Sequence, residues 1–362
     1  MKKTYTILLV GLIILSIILF YINLNNPIRI ALIGNFEEER YYFDTSSIIA
    51  GRIAEENINK SDGIRGRMIE LVAKEDAFQD IEETIKFLKK NKIEVVITTA
   101  TSSDLVKIKS QLEENKIVCI SVGATADSLS RQNDYIYRVL PDDEKEIKAL
   151  FDYFSERNIS KDIALIYDNS NIEYKKSVES VIKKLGGDVV FQESWSEDSF
   201  NYVPSNLEAL QDRPILILSP PRHTAIIIQK LNSYGITDKL FGTSWSGDDY
   251  LLEYGGRAVE GFTFVAPVDF SNDDKDSMEL SNSLEVFRKK NGLVPNGIYK
   301  GLKLIKKTYE YRHDKHSTLK EAFDNNGYFD VYGDSKEEEF IFTVNNGIFT
   351  KIKGGSYGGT KN

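Results

Sequence analysis

The sequence predicts an α/β protein of two lobes, in which each lobe is a parallel β-sheet flanked by helices. Short, continuous apolar runs such as residues 28–34, 69–73 and 117–122 are typical of strands buried on both faces of a sheet. Amphipathic helical patterns separate these runs, and this alternation favours right-handed βαβ units. The alternation starts again near residue 143, so the chain of 362 residues contains two such units.

In the first unit, a fourth strand is predicted at 94–99, between two helices. The helices are recognised by apolar residues three or four positions apart, which lie on one face. These residues are Ile81, Ile85 and Leu88 in the first helix, and Leu105, Ile108 and Leu112 in the second, over 104–115.

The second unit opens with a helix over 143–158 and a strand at 163–168. The next helix ends at Gly186 and Gly187, because glycine is favoured just after the last helical turn. Further strands are predicted at 189–195, 215–219, 240–244 and 261–268.

The last part of the chain is predicted to contain two helices, over 277–290 and about 296–311. Alternating apolar residues around Asn346-Gly347 then predict a β-hairpin, since this dipeptide favours a two-residue turn. The glycine-rich end, 353–362, is predicted to be a flexible tail.

Residues 1–26 do not fit the globular pattern. Lys2 and Lys3 precede an apolar run that extends from Tyr5 to about Leu24, near the ~20 residues that span a bilayer. A cleaved signal has a shorter apolar region followed by small residues, whereas the sequence Asn-Asn-Pro follows this run. An uncleaved membrane anchor is therefore favoured over a cleaved signal, and the positive-inside bias places the rest of the chain outside the cytoplasm.

Composition disfavours several functional classes. The formal net charge is −9 and no long basic run occurs, so nucleic acid is not expected as a partner. The single cysteine, Cys119, lies between apolar residues and is expected to be a buried side chain without a disulfide. With three histidines and no nucleophile elbow, metal-spaced cluster or phosphate loop, the sequence predicts neither an enzyme nor a cofactor or metal site.

Two strands of the first unit end in small polar residues, TATSSD at 99–104 and GATADS at 123–128. Because the carboxyl ends of parallel strands share one edge of a sheet, these exits are expected to form two walls of one binding site. Ser102 precedes a helix whose N-terminus favours an anion, and the Thr125 hydroxyl both donates and accepts. Alternatively, Ser102 is an N-cap; N-capping is assigned to Asp104 and Asp127.

A family resemblance rests on several short pieces in a fixed order. Ile58-Asn59 precedes GIRG at 63–66, and GAT at 123–125 precedes Tyr135, Arg138 and Pro141. From about residue 28 to 350 the chain resembles the leucine/isoleucine/valine-binding protein family, the type I periplasmic solute-binding proteins of ABC transporters. The resemblance implies the type I periplasmic-binding-protein fold, with three crossings between the lobes and a small ligand trapped by hinge closure.

The resemblance also implies the ligand-binding residues of the first lobe. Ser102 and Thr125 fall on positions that hold the carboxylate and ammonium of an amino acid in the family. Phe43 aligns with an aromatic residue that covers the ligand, although an ordinary packed aromatic is the alternative. The backbone groups implied beside the ligand are those of Ala100, Thr101, Gly123 and Ala124.

The second lobe departs from the family pattern. Where the family has Tyr-Gly after the strand at 163–168, this chain has Ile172 and a glutamate, and whether Tyr174 substitutes stays open. The acidic residue that pairs with an α-ammonium falls on or near Ser244, so this carboxylate is missing. Trp245 is expected either to stack on the ligand or to pack in the core.

These observations predict an extracytoplasmic solute-binding protein that delivers an amino acid, or a related amide or carboxylate, to an ABC permease. A ligand-sensing receptor domain that signals to a membrane partner is the alternative. The chain is expected to divide into an N-terminal anchor or uncleaved signal (1–26), lobe 1 (27–140 and 268–326), lobe 2 (141–267 and 327–352) and the tail (353–362).

Overall fold

A computed structural model of the chain describes residues 26–34, 45–195, 202–268, 275–289 and 291–354. Within these ranges no helix is long and apolar enough to cross a membrane. The predicted N-terminal anchor lies outside the described residues apart from Asn26, and Phe43 lies outside them as well.

The first sheet has five parallel strands in the order β2-β1-β3-β4-β5. All four residues of β3 and of β4 are buried, because helices cover both faces of the sheet. This burial confirms the interpretation of the continuous apolar runs. The strands are β1 (Ile28–Ile33), β2 (Ile69–Lys74), β3 (Val95–Thr98), β4 (Val118–Ser121) and β5 (Ile136–Arg138).

The second sheet has seven strands in the order β12-β11-β10-β9-β8-β6-β7. Strands β6 to β10 are parallel, and the C-terminal hairpin of β11 and β12 adds two antiparallel strands. The hairpin turn is confirmed at Asn346 and Gly347, whose φ angles of 53° and 73° suit this turn type. The strands are β6 (Asp162–Asp168), β7 (Asp188–Trp195), β8 (Ile215–Leu218), β9 (Leu240–Gly242), β10 (Thr263–Ala266), β11 (Phe340–Asn345) and β12 (Ile348–Gly354).

Helices flank both sheets, and the helices predicted at 104–115, 143–158, 277–290 and about 296–311 lie within a few residues of those bounds. The helix predicted from about 296 begins at 293 and continues to 315, where His316 takes a left-handed conformation (φ 51°). The helices are α1 (Thr45–Lys60), α2 (Ile81–Lys90), α3 (Ser102–Glu114), α4 (Asp143–Glu156), α5 (Ile172–Lys184), α6 (Leu207–Leu210), α7 (Pro221–Ser233), α8 (Asp249–Gly255), α9 (Lys275–Glu285), α10 (Leu293–Lys315) and α11 (Leu319–Asp324).

Each sheet has its own hydrophobic cores, one on each face. Helices α1, α9, α10 and α11 cover one face of the first sheet, and α2 and α3 cover the other. In the second sheet, α7 and α8 pack on one face and α4 and α5 on the other. The chain therefore returns to the first sheet after β10 and enters the second sheet again at β11.

Candidate functional site

A cavity lies between the lobes, where β3 and β4 of the first sheet and β6 and β9 of the second sheet end. Its volume is about 30 Å³, which is room for about one or two water molecules. The cavity is therefore too small for a ligand the size of an amino acid. The lining comes from both lobes and consists of Thr101, Gly123, Thr125, Leu140, Asn171, Tyr174, Ser244, Trp245, Leu293 and Val294.

The predicted site residues occupy three kinds of position. Ala100, Ser102 and Ala124 are buried behind the cavity wall, and each is at most 1% exposed. Ile172 is 36% exposed at the start of α5 and is not among the lining residues. The residues that line the cavity as well as being predicted for the site are Thr101, Gly123, Thr125, Tyr174, Ser244 and Trp245.

The first-lobe wall begins with the N-terminus of α3. Thr101 is the N-cap of this helix, because its hydroxyl oxygen accepts the backbone N–H of Asp104 at 3.2 Å. The prediction that Asp104 caps the helix is therefore wrong, and α3 starts at Ser102. The prediction for Asp127 is also wrong, since Asp127 is the first residue of a short 3₁₀ turn that follows Ala126.

Ser102 fixes the loop that follows β4. Its Oγ accepts the backbone N–H groups of Thr125 and Ala126, both at 3.2 Å. Gly123 lets the two strand exits approach, because a Cβ at this position would lie 3.0 Å from the carbonyl oxygen of Ala100. Ser102 thus positions Thr125 at the cavity, and a direct ligand contact by Ser102 stays a prediction.

A buried arginine holds the same loop from the opposite side. Arg138 is fully buried and donates to the carbonyl oxygens of Thr125 and Ala126, at 3.2 and 3.1 Å. Its Nε also donates to the carboxylate of Asp334 at 3.0 Å, and this pair compensates a charge that is costly to bury. Because Asp334 lies in the crossing before β11, the ligand loop is linked to that crossing.

Two helix N-termini meet across the cleft. Asn171, just before α5, accepts the backbone N–H of Ser103 at 3.2 Å and lies 3.3 Å from its Oγ. The same Ser103 Oγ accepts the N–H of Glu173 at 3.1 Å. A further bond joins the N–H of Asp127 to the Oγ of Ser177 at 2.8 Å. Sequence reasoning missed Asn171, whose only signal is its place at the end of the short turn that follows β6.

The second-lobe wall rests on a buried carboxylate that sequence reasoning also missed. Glu146 of α4 is 2% exposed, and its Oε1 accepts the backbone N–H of Ser244 at 2.6 Å. Its Oε2 accepts the hydroxyl of Tyr174 at 2.8 Å, while the Tyr174 ring meets Trp245 edge-on at 5.6 Å. A carboxylate therefore lies directly behind Ser244, although it comes from another element. Its signal is the helical register, because Glu146 shares the core-facing side of α4 with Leu150.

Two further carboxyl groups lie near Glu146. Asp143, the first residue of α4, is fully buried, and its N–H donates to the carbonyl oxygen of Thr125 at 3.2 Å. The hydroxyls of Ser177 and Thr125 lie beside the Asp143 carboxyl group, whereas among the described residues Oε2 of Glu339 has no hydrogen-bond partner.

Burial is the main cause that changes the acidity of these three groups. It raises the pKa of Glu146, and it raises the pKa of Asp143 and of Glu339 well above the ordinary values. The charge of Glu146 raises the pKa of the other two further, whereas the hydroxyls of Ser177 and Thr125 oppose the shift at Asp143. The cluster of Asp143, Glu146 and Glu339, called here the acidic cluster, thus retains protons more strongly than exposed carboxyl groups do.

Two α/β lobes that meet at the carboxyl edges of their sheets, around a cavity lined by both, define a small-molecule binding protein. Residues 27–303 match the family model described as periplasmic binding protein, so the chain belongs to this family. The resemblance to leucine/isoleucine/valine-binding proteins is confirmed by a Pseudomonas aeruginosa relative, the leucine-, isoleucine-, valine-, threonine- and alanine-binding protein. That relative is 23% identical over 284 residues, which are 76% of this chain and 74% of its own length.

Solved structures share the two-lobed type I fold. A branched-chain amino acid transporter substrate-binding protein from Streptococcus pneumoniae, in complex with isoleucine, superposes with a TM-score of 0.76 at 18% identity. This match covers 91% of the present chain and 99% of the other. A solute-binding protein of an ABC transporter from R. palustris, in complex with benzoate, also gives a TM-score of 0.76, at 13% identity and with 91% and 96% coverage. The same fold therefore accommodates ligands with and without an amino group.

Proposed function

We propose that this chain is an extracytoplasmic solute-binding protein that traps a small polar ligand between its lobes and delivers it to an ABC permease. The ligand class is an amino acid or a related amide or carboxylate. The observation that carries the proposal is the cavity itself, whose wall combines strand ends of both lobes. Its polar side includes Thr101 and Thr125, and its apolar side includes Leu140, Leu293 and Val294. This combination suits a ligand with a polar head and a small apolar side chain.

The proposed mechanism is hinge closure. The proposed lobes are residues 27–140 and 268–326 for lobe 1 and 141–267 and 327–352 for lobe 2. The separate cores of the two sheets support a division into two lobes, but Phe329, assigned to lobe 2, packs in a core of the first sheet. The bonds between Ser103 and Asn171 join the lobes when they are closed. A ligand that contacts both walls binds the closed form better, and its differential affinity shifts the equilibrium towards closure.

The proposed location is the outer face of the cell membrane, to which residues 1–26 anchor the chain. The apolar run between Tyr5 and about Leu24 supports an anchor, and Lys2 and Lys3 support its orientation. Membership of the periplasmic binding protein family supports an extracytoplasmic site of action. It also supports a binding function without catalysis, since the relatives are named as binding proteins.

A thermal-shift screen of the full-length chain tests the proposal. The panel contains aliphatic amino acids, aliphatic amides and small carboxylates, and each compound is used in large excess over the protein. A ligand present at about a hundred times its Kd adds about 2.7 kcal/mol to the free energy of unfolding and raises the melting temperature. Thr125→Ala is the matched variant, in which the same compound is expected to give a smaller shift. If no compound of the panel raises the melting temperature, the result contradicts the proposal and favours the sensing receptor instead.

A further inference from the structure

The ends of four helices meet at the pole of lobe 1 that is opposite the cavity. The cavity lies where the strands of the first sheet end, whereas α1, α2, α3 and α10 finish beside the edge where those strands begin. Side-chain ion pairs join two of these helix ends to neighbouring loops, Arg65 to Asp314 and Arg312 to Glu94. This surface, called here the basic pole, consists of residues 60–68, 89–94, 113–117 and 312–316.

The basic pole is positively charged although the protein as a whole is acidic. Its four segments contain nine lysine and arginine residues and five aspartate and glutamate residues, a net charge of +4, whereas the whole chain has a net charge of −9. Two of the five acidic residues, Glu94 and Asp314, are already paired with arginines. The lysines of the pole that are exposed and form no ion pair among the described residues are Lys90, Lys92, Lys116 and Lys315.

Helices of the two lobes end in the same way but with different residues. After α2, α3, α4, α5 and α7, the first residue beyond the C-cap has a positive φ angle, and its N–H donates to a carbonyl oxygen of the last turn. Glycine and asparagine are favoured at this position, and lobe 2 has Asn158, Gly186 and Gly235 there. Lobe 1 instead has Lys92 and Lys116, with φ angles of 56° and 54°. The negative end of the helix dipole favours cations in both lobes, so the dipole does not explain why only lobe 1 places lysine at this strained position.

The chain enters lobe 1 at the basic pole. The carbonyl oxygen of Asn26 accepts the Nε and Nη2 groups of Arg67, at 3.1 and 3.0 Å, and the next residue along, Met68, is 53% exposed. The apolar run ends at about Leu24 and β1 begins at Ile28, and four peptide links span at most about 14 Å. The headgroup layer takes up roughly 5–8 Å of that distance. The start of β1 is therefore held within about one Debye length, ~8 Å, of the headgroups.

We propose that the basic pole rests on the anionic phospholipid headgroups of the membrane to which the chain is anchored, and that Lys92 and Lys116 contact them. This inference rests on the anchor of the proposed function. A soluble polyanion would meet the same charges, but the short connection after Leu24 keeps only the bilayer within reach at all times. Each lysine near an anionic surface strengthens the contact about fivefold, and exposed Met68 adds an apolar contact beside the entry of the chain. Because the second sheet meets the opposite edge of the first, lobe 2 and the cavity are held away from the bilayer.

Lysine footprinting of the full-length chain in lipid nanodiscs tests this inference. The discs contain phosphatidylcholine alone or phosphatidylcholine mixed with phosphatidylglycerol, and mass spectrometry gives the rate at which a membrane-impermeant reagent acylates each lysine. In the anionic discs we expect Lys92 and Lys116 to react at least threefold more slowly than in the neutral discs. Exposed Lys183 and Lys239 of lobe 2 should react at the same rate in both. Sodium chloride at about 1 M, where the Debye length is about 3 Å, should remove the protection.

Oxidation by hydrogen peroxide gives a second readout, which does not depend on the charge of the reagent. Met68 lies on the basic pole, whereas Met278 lies on α9, and the neighbouring Ser277 contacts Asn296 near the start of α10, away from the pole. The two methionines are similarly exposed, at 53% and 46%. We expect Met68 to be oxidised more slowly in anionic than in neutral discs, and Met278 to be oxidised at the same rate in both.

A double variant and a matched control identify the residues responsible. Lys92→Gly combined with Lys116→Gly should weaken the contact about 25-fold, so that Lys90 and Lys315 react in anionic discs as fast as in neutral ones. The melting temperature should not fall, because glycine suits a positive φ angle better than lysine does. Lys239→Gly is the control, since this exposed lysine has the same φ angle of 56° as Lys92 but precedes β9 in lobe 2. It should leave the protection unchanged.

The outcomes separate this inference from the proposed function. If the full-length chain does not stay with the discs, the proposed anchor is wrong and the inference fails with it. If the chain stays, but the lysines of the pole and Met68 react equally fast in both kinds of disc, the inference is wrong while the anchor stands. If Lys239→Gly loses the protection as fully as the double variant does, the lipid responds to the overall charge and the inference is also wrong. The thermal-shift screen measures ligand binding independently of these results.

Discussion

Ser102 and Ser103 are adjacent residues in the first turn of α3. Replacing Ser102 by alanine should mainly lower the stability of the protein, whereas replacing Ser103 should mainly lower its affinity for the ligand. Ser102→Ala removes the acceptor for two backbone N–H groups, those of Thr125 and Ala126, each at 3.2 Å. Because the Ser102 site is fully buried, water is not available to replace the lost acceptor. The Thr125 loop therefore loses its support within the first lobe.

The expected magnitude follows from these two bonds. A buried donor left without a partner costs about 1–3 kcal/mol. Two such donors, with partial relaxation of the loop, should lower the free energy of unfolding by roughly 2–4 kcal/mol. Ser103→Ala is the matched control, because the Ser103 Oγ accepts a single N–H, that of Glu173, across the cleft. It should cost about 1 kcal/mol or less and act mainly on ligand affinity.

Urea denaturation of both variants without ligand measures this difference. The two tryptophans, Trp195 and Trp245, report unfolding by fluorescence, and a shift of the midpoint at constant slope gives the change in stability. If Ser102→Ala unfolds at the same urea concentration as the unmodified chain, its hydroxyl does not hold the loop. The assignment of Ser102 as a positioning residue is then wrong, and a direct ligand contact becomes the better explanation.

Three further predictions concern the cavity. Thr125→Ala should weaken ligand binding at least tenfold. It should change the free energy of unfolding by less than about 1 kcal/mol, since the backbone N–H and C=O of Thr125 make its structural bonds. Thr125→Ser should retain most of the affinity, and calorimetry measures both variants. Asn171→Ala removes the acceptor that joins the lobes, so the chain should show a larger radius of gyration in small-angle scattering, whereas exposed Asn169→Ala should not. Raised carboxyl pKa values contribute stability that is complete below about pH 4 and is lost as the pH rises through the folded-state values. The free energy of unfolding should therefore fall as the pH rises above about 4, by up to about 1.4 kcal/mol per pH unit for each group, and the melting temperature should fall with it. The fall should be less steep in Glu146→Gln, and an equal slope in the variant contradicts the assignment.

The sequence allowed the strands and the first-lobe wall to be predicted, because both leave a local pattern. A parallel strand buried on two faces is a continuous apolar run, and an exit such as Gly123-Ala124-Thr125 is a sudden change to small polar residues. The N-cap of α3 was assigned to the wrong residue because Thr101 and Asp104 lie three positions apart and both are good caps. The choice depends on where β3 ends, which the pattern fixes only to within a few residues.

Glu146 and Asn171 could not be placed in the site from the sequence, since their contacts are between distant elements. Glu146 is 98 positions from Ser244, and Asn171 is 68 positions from Ser103. A glutamate in a helix is ordinarily solvated, and nothing local indicates that α4 turns this face towards the loop after β9. The sequence showed that the family's carboxylate is absent at Ser244, but it did not show that Glu146 lies behind that position.

Helix α4 contacts one cavity-lining loop of each lobe. This helix follows the first crossing between the lobes. The N–H of Asp143 donates to the carbonyl oxygen of Thr125 in the first-lobe loop. The carboxylate of Glu146 accepts the N–H of Ser244 in the second-lobe loop. Both contacts are buried, so a shift of either loop relative to α4 breaks a hydrogen bond that water does not readily replace. A ligand that contacts Thr125 and Ser244 at the same time therefore gains differential affinity for the closed form, and an analogue that reaches only one of the two loops should leave the lobes more open even at saturation.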